Sequence, residues 1–259
     1  MFKELYKYRE LLRTNVKKEI RGKYKGSFLG VLWSFVNPLL MTLVYAIVFP
    51  YIMRGSQYES YTTFLVIGIL PWTWFTTSVA QGTSCIIANG GIIKKVYFPR
   101  EILPISVVTS GMINYLIQCL IIIIFIIVNK LPITLNLLFL PLIMLAQYLF
   151  TLSIVFITGA LNVYVRDLEY IVNFIIQLFF YGTPIVYELS MFANAPKLIY
   201  TLINLNPMAI IITSYRDIFY WGHIPHIKSL LFIILMSFIL CWISLLIFKK
   251  LAKRFAEEI

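Results

Sequence analysis

Few side chains in this sequence can make or break a covalent bond. Its two histidines, His223 and His226, are separated by Ile224-Pro225. The proline denies them a common helical face, so they do not read as a metal pair. Cys85, Cys119 and Cys241 stand far apart in apolar surroundings with no Cys-x-x-Cys or Cys/His cluster, and they read as small buried hydrophobes. Glu101 and Glu188 stand alone, not as the close carboxylate pair that glycoside hydrolysis needs. The glycine-bearing stretch 22–30 lacks the Gly-Lys-Ser/Thr ending of a nucleotide-binding loop, so this chain is not expected to hydrolyse ATP. What the spacing does offer is recognition. Segment 89–104, NGGIIKKVYFPREILP, mixes cations, aromatics and two prolines. The prolines stiffen it, and Tyr97 and Phe98, read as exposed, would anchor in a partner's pocket; an ordinary basic loop with an aromatic belt has the same composition. Arg166-Asp167 reads either as a helix cap with its ion pair or as a second protein contact. Arg216-Asp217, beside Tyr215 and Trp221, would hold its own segment or guide a polymer.

These segments must be positioned by elements a bilayer accepts. Of the 259 residues, 60% are hydrophobic and 13% charged, against about 45–50% and about 25% in soluble domains. One soluble core cannot absorb that excess. A disordered chain, a disulfide-stapled secreted domain and an ordinary soluble enzyme are thereby excluded, leaving a polytopic membrane protein. The formal charge of +11 would suit a nucleic-acid binder if it lay on one soluble face. Instead, basic residues crowd 3–25 and 249–254, flanking apolar runs, as topology signals do.

About 20 apolar residues cross a bilayer, and six stretches qualify: 28–53, 61–88 with Pro71 inside it, 103–128, 137–165, 168–187 and 229–248. An even number puts both termini on one side. With that side cytoplasmic, all of the 22 lysines and arginines except Arg54, Lys130, Lys197, Arg216 and Lys228 lie inside, a strong positive-inside pattern. Ahead of the first span, Leu5, Tyr8, Leu12, Val16 and Ile20 fall on one face of a helix whose remainder is basic. That pattern predicts an amphipathic helix on an anionic leaflet. The chain thus divides into an interfacial helix, 1–26, and a transmembrane part, 27–259. Stretch 188–228, interrupted by Pro196, Pro207 and Pro225, suits short re-entrant or outer helices between the fifth and sixth spans. The expected fold is an all-α integral membrane protein with six transmembrane helices.

Segment 89–104 resembles the loop that docks the ATPase in type-2 ABC exporters of bacterial surface polysaccharides, the permeases for O-antigen and teichoic acid. Other motifs agree in order: Leu29-Gly30-Val31-Leu32-Trp33 and Asn37-Pro38-Leu39, Gly68-Ile69-Leu70-Pro71-Trp72, Arg166-Asp167-Leu168, Thr183-Pro184-Ile185-Val186-Tyr187, Asn206-Pro207-Met208 and Tyr215-Arg216-Asp217. The loop ending in Phe98-Pro99-Arg100 and the tail Arg254-Phe255-Ala256-Glu257 are closer to the O-antigen branch than to the teichoic-acid branch. The resemblance implies an ABC-2 type transmembrane fold in the bacterial cytoplasmic (inner) membrane, paired as a homodimer above two copies of a separate ABC ATPase. It implies no cofactor on this chain, with ATP and Mg on that partner. A coupling helix over 92–104 would present Ile92, Lys94, Lys95, Tyr97, Phe98, Arg100 and Glu101 to it. The implied cargo is a glycan on an undecaprenyl-diphosphate-type lipid, with teichoic acid and capsular polysaccharide as alternatives to O-antigen.

A sliding glycan needs weak, repeated contacts, and aromatic faces supply them. Trp33, Tyr45, Trp72, Trp74, Phe179, Phe180 and Tyr181 are the path candidates, with Asn173 and Gln177 as polar companions on the fifth span. An interface belt would use the same aromatics, and Trp242 reads as belt. Arg13, Lys23 and Lys25 would attract the diphosphate or serve topology and lipid headgroups alone. An intramembrane transferase acting on lipid-linked sugars would need converging acids, histidines or a metal. An autonomous pore would conduct without ATP.

Overall fold

The structure, a computed structural model, describes residues 6–22, 33–52, 60–188, 196, 201–203 and 205–259. Lys23, Lys25 and the motif residues 29–32 lie outside the described residues, and so does the side chain of Tyr45. All regular elements among the described residues are helical: α1 (Arg9–Gly22), α2 (Trp33–Ile52), α3 (Tyr61–Ala88), the short α4 (Gly90–Ile93), α5 (Ile102–Val128), α6 (Leu140–Tyr164), α7 (Leu168–Tyr181), α8 (Pro207–Arg216), α9 (Ile227–Ala252) and α10 (Phe255–Glu258). A 3-10 turn, Leu135–Phe139, leads into α6, and a π-helical turn, Asp217–Trp221, follows α8.

Among the described residues, four helical runs are long and apolar enough to cross a membrane: α3, α5, Leu135–Tyr164 and α9. The helix α2 has 20 residues, a length of about 30 Å. The run expected over 168–187 is different. Its helix, α7, has 14 residues, about 21 Å against a hydrocarbon core of about 30 Å. It stops at Gly182 because Pro184 follows, and the residue before a proline is pushed out of the helical region. The chain then turns inward, burying Thr183, Ile185, Val186 and Tyr187. Irregular backbone at membrane depth is tolerated where protein surrounds it.

Close helix contact explains the small residues of the core. A Cβ on Gly159 of α6 would stand 2.9 Å from the Gly82 carbonyl oxygen of α3, and Thr83 donates to Thr158 at 2.9 Å. Small residues that let backbones approach, with hydroxyls bonded across the seam, are how helices associate without a solvent-driven hydrophobic effect. Pro71 removes one amide from the α3 ladder, and Gln147 Nε2 of α6 donates to the Pro71 carbonyl at 2.7 Å. The helix α9 runs beside α6 and turns Leu231, Phe232, Leu235, Phe238 and Trp242 outward.

Contacts sort the loops into two ends. At one, Lys18 of α1 reaches Asn89, Ile259 faces Gly90, Glu101 pairs with Lys249, and Tyr164 Oη donates to the Leu251 carbonyl. At the other, Asn129 donates to Thr63, Asn136 to the Gly222 carbonyl, and Tyr61 Oη to the Val186 carbonyl. The helices α1 and α10 therefore share an end. Of the apolar face read ahead of the first span, Leu5 lies outside the described residues, Val16 is buried, and Tyr8, Leu12 and Ile20 are half-buried; α1 packs against α5.

Candidate functional site

The loop between α3 and α5 is built from the end of α3 onward. Asn89 caps that helix, its Nδ2 donating to the Cys85 carbonyl at 2.8 Å while its Oδ1 accepts from Lys18 Nζ at 3.0 Å. One helical turn, α4, follows. It does not extend over 92–104 as expected, because Lys94 and Lys95 form a turn and Val96–Pro99 is irregular before α5 begins. Tyr97 is 93% exposed, and Ile92 and Val96 are exposed beside it, as are Lys94 and Lys95.

Phe98 corrects the sequence reading. It is 6% exposed, built into this chain's own core and unavailable as a partner anchor. Its neighbours explain the inversion: irregular backbone at 96–99 turns one aromatic out and the next in. Tyr97 stands at the rim of two cavities, about 320 Å³ and about 190 Å³. The larger is walled by Arg100, Glu101, Lys249 and Lys253. Glu101 pairs with Lys249 at 3.3 Å, and the Arg100 guanidinium lies 5.7 Å from the Phe255 ring centre.

A second constellation lies along α2, α3 and α7. A cavity of about 540 Å³ is lined by Asn37, Met41, Trp72, Thr73, Thr76 and Phe180, among others. The Trp72 ring packs against Phe75, Phe179 and Phe180 at centroid distances of 5.4, 6.3 and 5.9 Å. Two of the aromatic path candidates, Trp72 and Phe180, thus meet on one mixed polar and aromatic surface. Tyr181, at 77%, faces outward, and Trp33 is half-buried. Trp74 is elsewhere: 2% exposed, it stacks on Tyr115 at 5.3 Å in the core, because two steps along a helix turn a side chain about 200° away from Trp72. Thr73 and Thr76 were not singled out from sequence, their signal being the hydroxyl-bearing residues that α3 carries among its apolar ones; Asn37, on α2, stood there only within the Asn37-Pro38-Leu39 motif.

Arg216 resolves its two readings. It is 3% exposed and donates to the carbonyls of Pro184, Ile185 and Tyr187, the last at 3.3 Å, with its guanidinium 3.5 Å from the Phe64 ring centre. It holds the irregular segment that ends α7, and Asn206 assists by donating to the Gly182 carbonyl and Thr183 Oγ1. Burial lifts the neighbouring Asp217 carboxyl to about 6, opposed by the nearby His223 and His226. His226 caps α9 through Ser229. Among the described residues no cluster of His, Cys, Asp or Glu suits a metal ion. Arg166 and Asp167 are exposed; Asp167 makes no side-chain cap bond, and no ion pair joins the two among the described residues. Arg13 is exposed on α1.

The sequence pattern of the ABC-2 type transporter family matches residues 10–220. The O-antigen export system permease protein RfbA of Myxococcus xanthus is 37% identical over 262 residues, covering 100% of this chain and 99% of that protein. Two proteins of the same name from Klebsiella pneumoniae are 37% and 38% identical over 249 residues, covering 96% of this chain and 94% of each relative. With long apolar helices and a family match over most of its length, this chain is a multi-pass membrane protein that belongs to the ABC-2 type transporter family.

Proposed function

We propose that this chain is the membrane permease half of an ATP-driven exporter of lipid-linked surface polysaccharide, with O-antigen as the cargo. The carrying observation is likeness at 37% identity over the full chain to an O-antigen export permease. The geometry supports it at two places: the outward Tyr97 on a cation-rich loop, and the Trp72/Phe180 cavity with its threonine and asparagine edges.

In this reading two copies pair, and an ABC ATPase dimer sits under the end that carries α1 and α10, which faces the cytoplasm. The ATPase binds the ATP and Mg, and no catalytic step falls on this chain. Residues 1–26 lie along the inner interface and 27–259 form the transmembrane part, with α2 and α7 completing six membrane helices in the bacterial cytoplasmic membrane. Tyr97, Ile92 and Val96 give the partner an apolar grip, while Lys94, Lys95 and Arg100 favour encounter with an acidic surface. Glu101 stiffens the loop. Trp72 and Phe180, with Phe179 and Tyr181 of α7 and with Trp33 and Tyr45 of the first span, form the sugar path. Their faces take the C–H patches of sugars while Asn37, Thr73 and Thr76 exchange hydrogen bonds as the chain slides. Arg13, Lys23 and Lys25 attract the diphosphate of the undecaprenyl-type carrier at the inner leaflet.

The test is Tyr97→Ala in the cell that makes the glycan. The expected outcome is loss of ATPase-subunit co-purification and of surface glycan, with the thermal stability of the permease unchanged. An ATPase that still co-purifies would overturn the docking role. Surface glycan undiminished on deletion of this chain would overturn the function.

A further inference from the structure

The last turn of α9 and the residues that follow it, 249–259, are firmly packed onto the rest of the fold. Phe255 is 0% exposed. Its ring meets Phe248 of α9 at 5.6 Å, Tyr164 of α6 at 6.3 Å and the Arg100 guanidinium at 5.7 Å. Ile259 closes on the docking loop itself: a Cβ added to Gly90 would lie 2.5 Å from the Ile259 side chain. At the start of the segment, Lys249 pairs with Glu101, a residue 9% exposed at the far end of the same loop.

Chain connectivity alone would deliver a push on Tyr97 only to α3, through Asn89, and to α5, through Glu101. The helices α6 and α9 have no covalent share in the loop. Motion travels through packed elements with defined contacts; the α3–α6 seam is one route, and residues 249–259 add direct ones from the loop: Lys249, in the last turn of α9, to Glu101, Phe255 to Arg100 and Tyr164, Ile259 to Gly90.

We infer that residues 249–259 are a positioning clasp that fixes the Tyr97 loop to α6 and α9, so that force on the loop moves four membrane helices together. The inference rests on the docking role of that loop. It assigns the clasp to transmission, not to partner binding, because Phe255 is buried while Tyr97 is 93% exposed.

The experiment uses the permease with its ATPase in the native membrane, reading co-purification, ATP hydrolysis and surface glycan together. Deletion of 255–259 is expected to leave the ATPase bound and hydrolysing while surface glycan falls about tenfold, within the usual range of coupling between sites. Glycan export at the parental level would overturn the clasp. Loss of co-purification would also overturn it, by making the segment part of the docking face. Should the shortened chain fail to fold, charge reversal serves: Glu101→Lys and Lys249→Glu are each expected to lower export with the ATPase still bound, and the double reversal to restore it. Export undiminished by either single change, or not restored by the pair, would refute the clasp. Failure of the docking role shows separately, as a Tyr97→Ala permease that retains its ATPase.

Discussion

Phe98 and Tyr97 are adjacent and chemically alike, yet opposite in consequence. Truncating Tyr97 removes an exposed ring, whereas Phe98→Ala empties a buried site and is expected to cost about 3 kcal/mol of stability, read as a lower unfolding temperature in detergent. The inversion was not legible in sequence, where both rings sit in one basic loop and the wall against Phe98 includes Lys249 and Ala252, some 150 residues onward. Arg216 was legible as an oddity among apolar residues, but its role was not, because its acceptors lie 29 to 32 positions upstream. Asp217 carries a pH signature. Its carboxyl titrates near 6 in the folded chain against an ordinary 3.8, so the folded state favours the protonated form. That contribution to stability is complete below about pH 3.8 and is lost as pH rises through about 6. Asp217→Asn is therefore expected to raise the unfolding temperature at neutral pH, by the equivalent of about 1 kcal/mol after solvent screening. The gain should vanish in titrations carried below pH 4; a pH-independent gain would rule out this origin.

Helix existence was written plainly in the sequence, because uninterrupted apolar runs have one stable form in a bilayer. The run 61–88 coincides with α3, and 229–248 lies inside α9. Helix endings were less legible. Thr183-Pro184 stood in the sequence as a stop signal, but composition kept the run apolar to Tyr187, and the inward turn depends on Arg216 and Asn206 from elsewhere. Helix-to-helix register was invisible, since it rests on which small residues face each other. The contact between Gly82 and Gly159 is the sharpest case. A methyl group at 159 meets backbone, which cannot swing aside, so Gly159→Ala is expected to spread α3 from α6. The cost is about 1–3 kcal/mol, measurable as a lowered unfolding midpoint, together with loss of the bond between Thr83 and Thr158. An unchanged midpoint would mean that the seam is loose.

At the scale of the whole molecule, positive charge marks one end, and that end gathers α1, the Tyr97 loop, Arg166 and the Lys249–Ile259 segment. The charge pattern gave this grouping from sequence. The aromatic path could not be read the same way, because belt and cavity linings draw on the same residues, and only the placement of Trp72 beside Phe180 separates them from Trp74. The brevity of α7 has a further physical consequence. In the proposed six-helix arrangement, a helix of 14 residues with Tyr170, Phe174, Leu178 and Tyr181 turned outward would stand in a hydrocarbon layer about 9 Å thicker than itself. Hydrophobic mismatch of that kind is relieved by local thinning of the lipid or by a neighbouring subunit that covers the deficit. Bilayer thickness becomes an energetic variable of transport: in vesicles of graded acyl-chain length, turnover by the reconstituted complex is expected to be greatest in the thinner membranes and to decline as the chains lengthen. A flat response would show that protein, not lipid, surrounds α7. A decline with chain length would make the membrane a working part of the exporter, set by the lipids the cell makes.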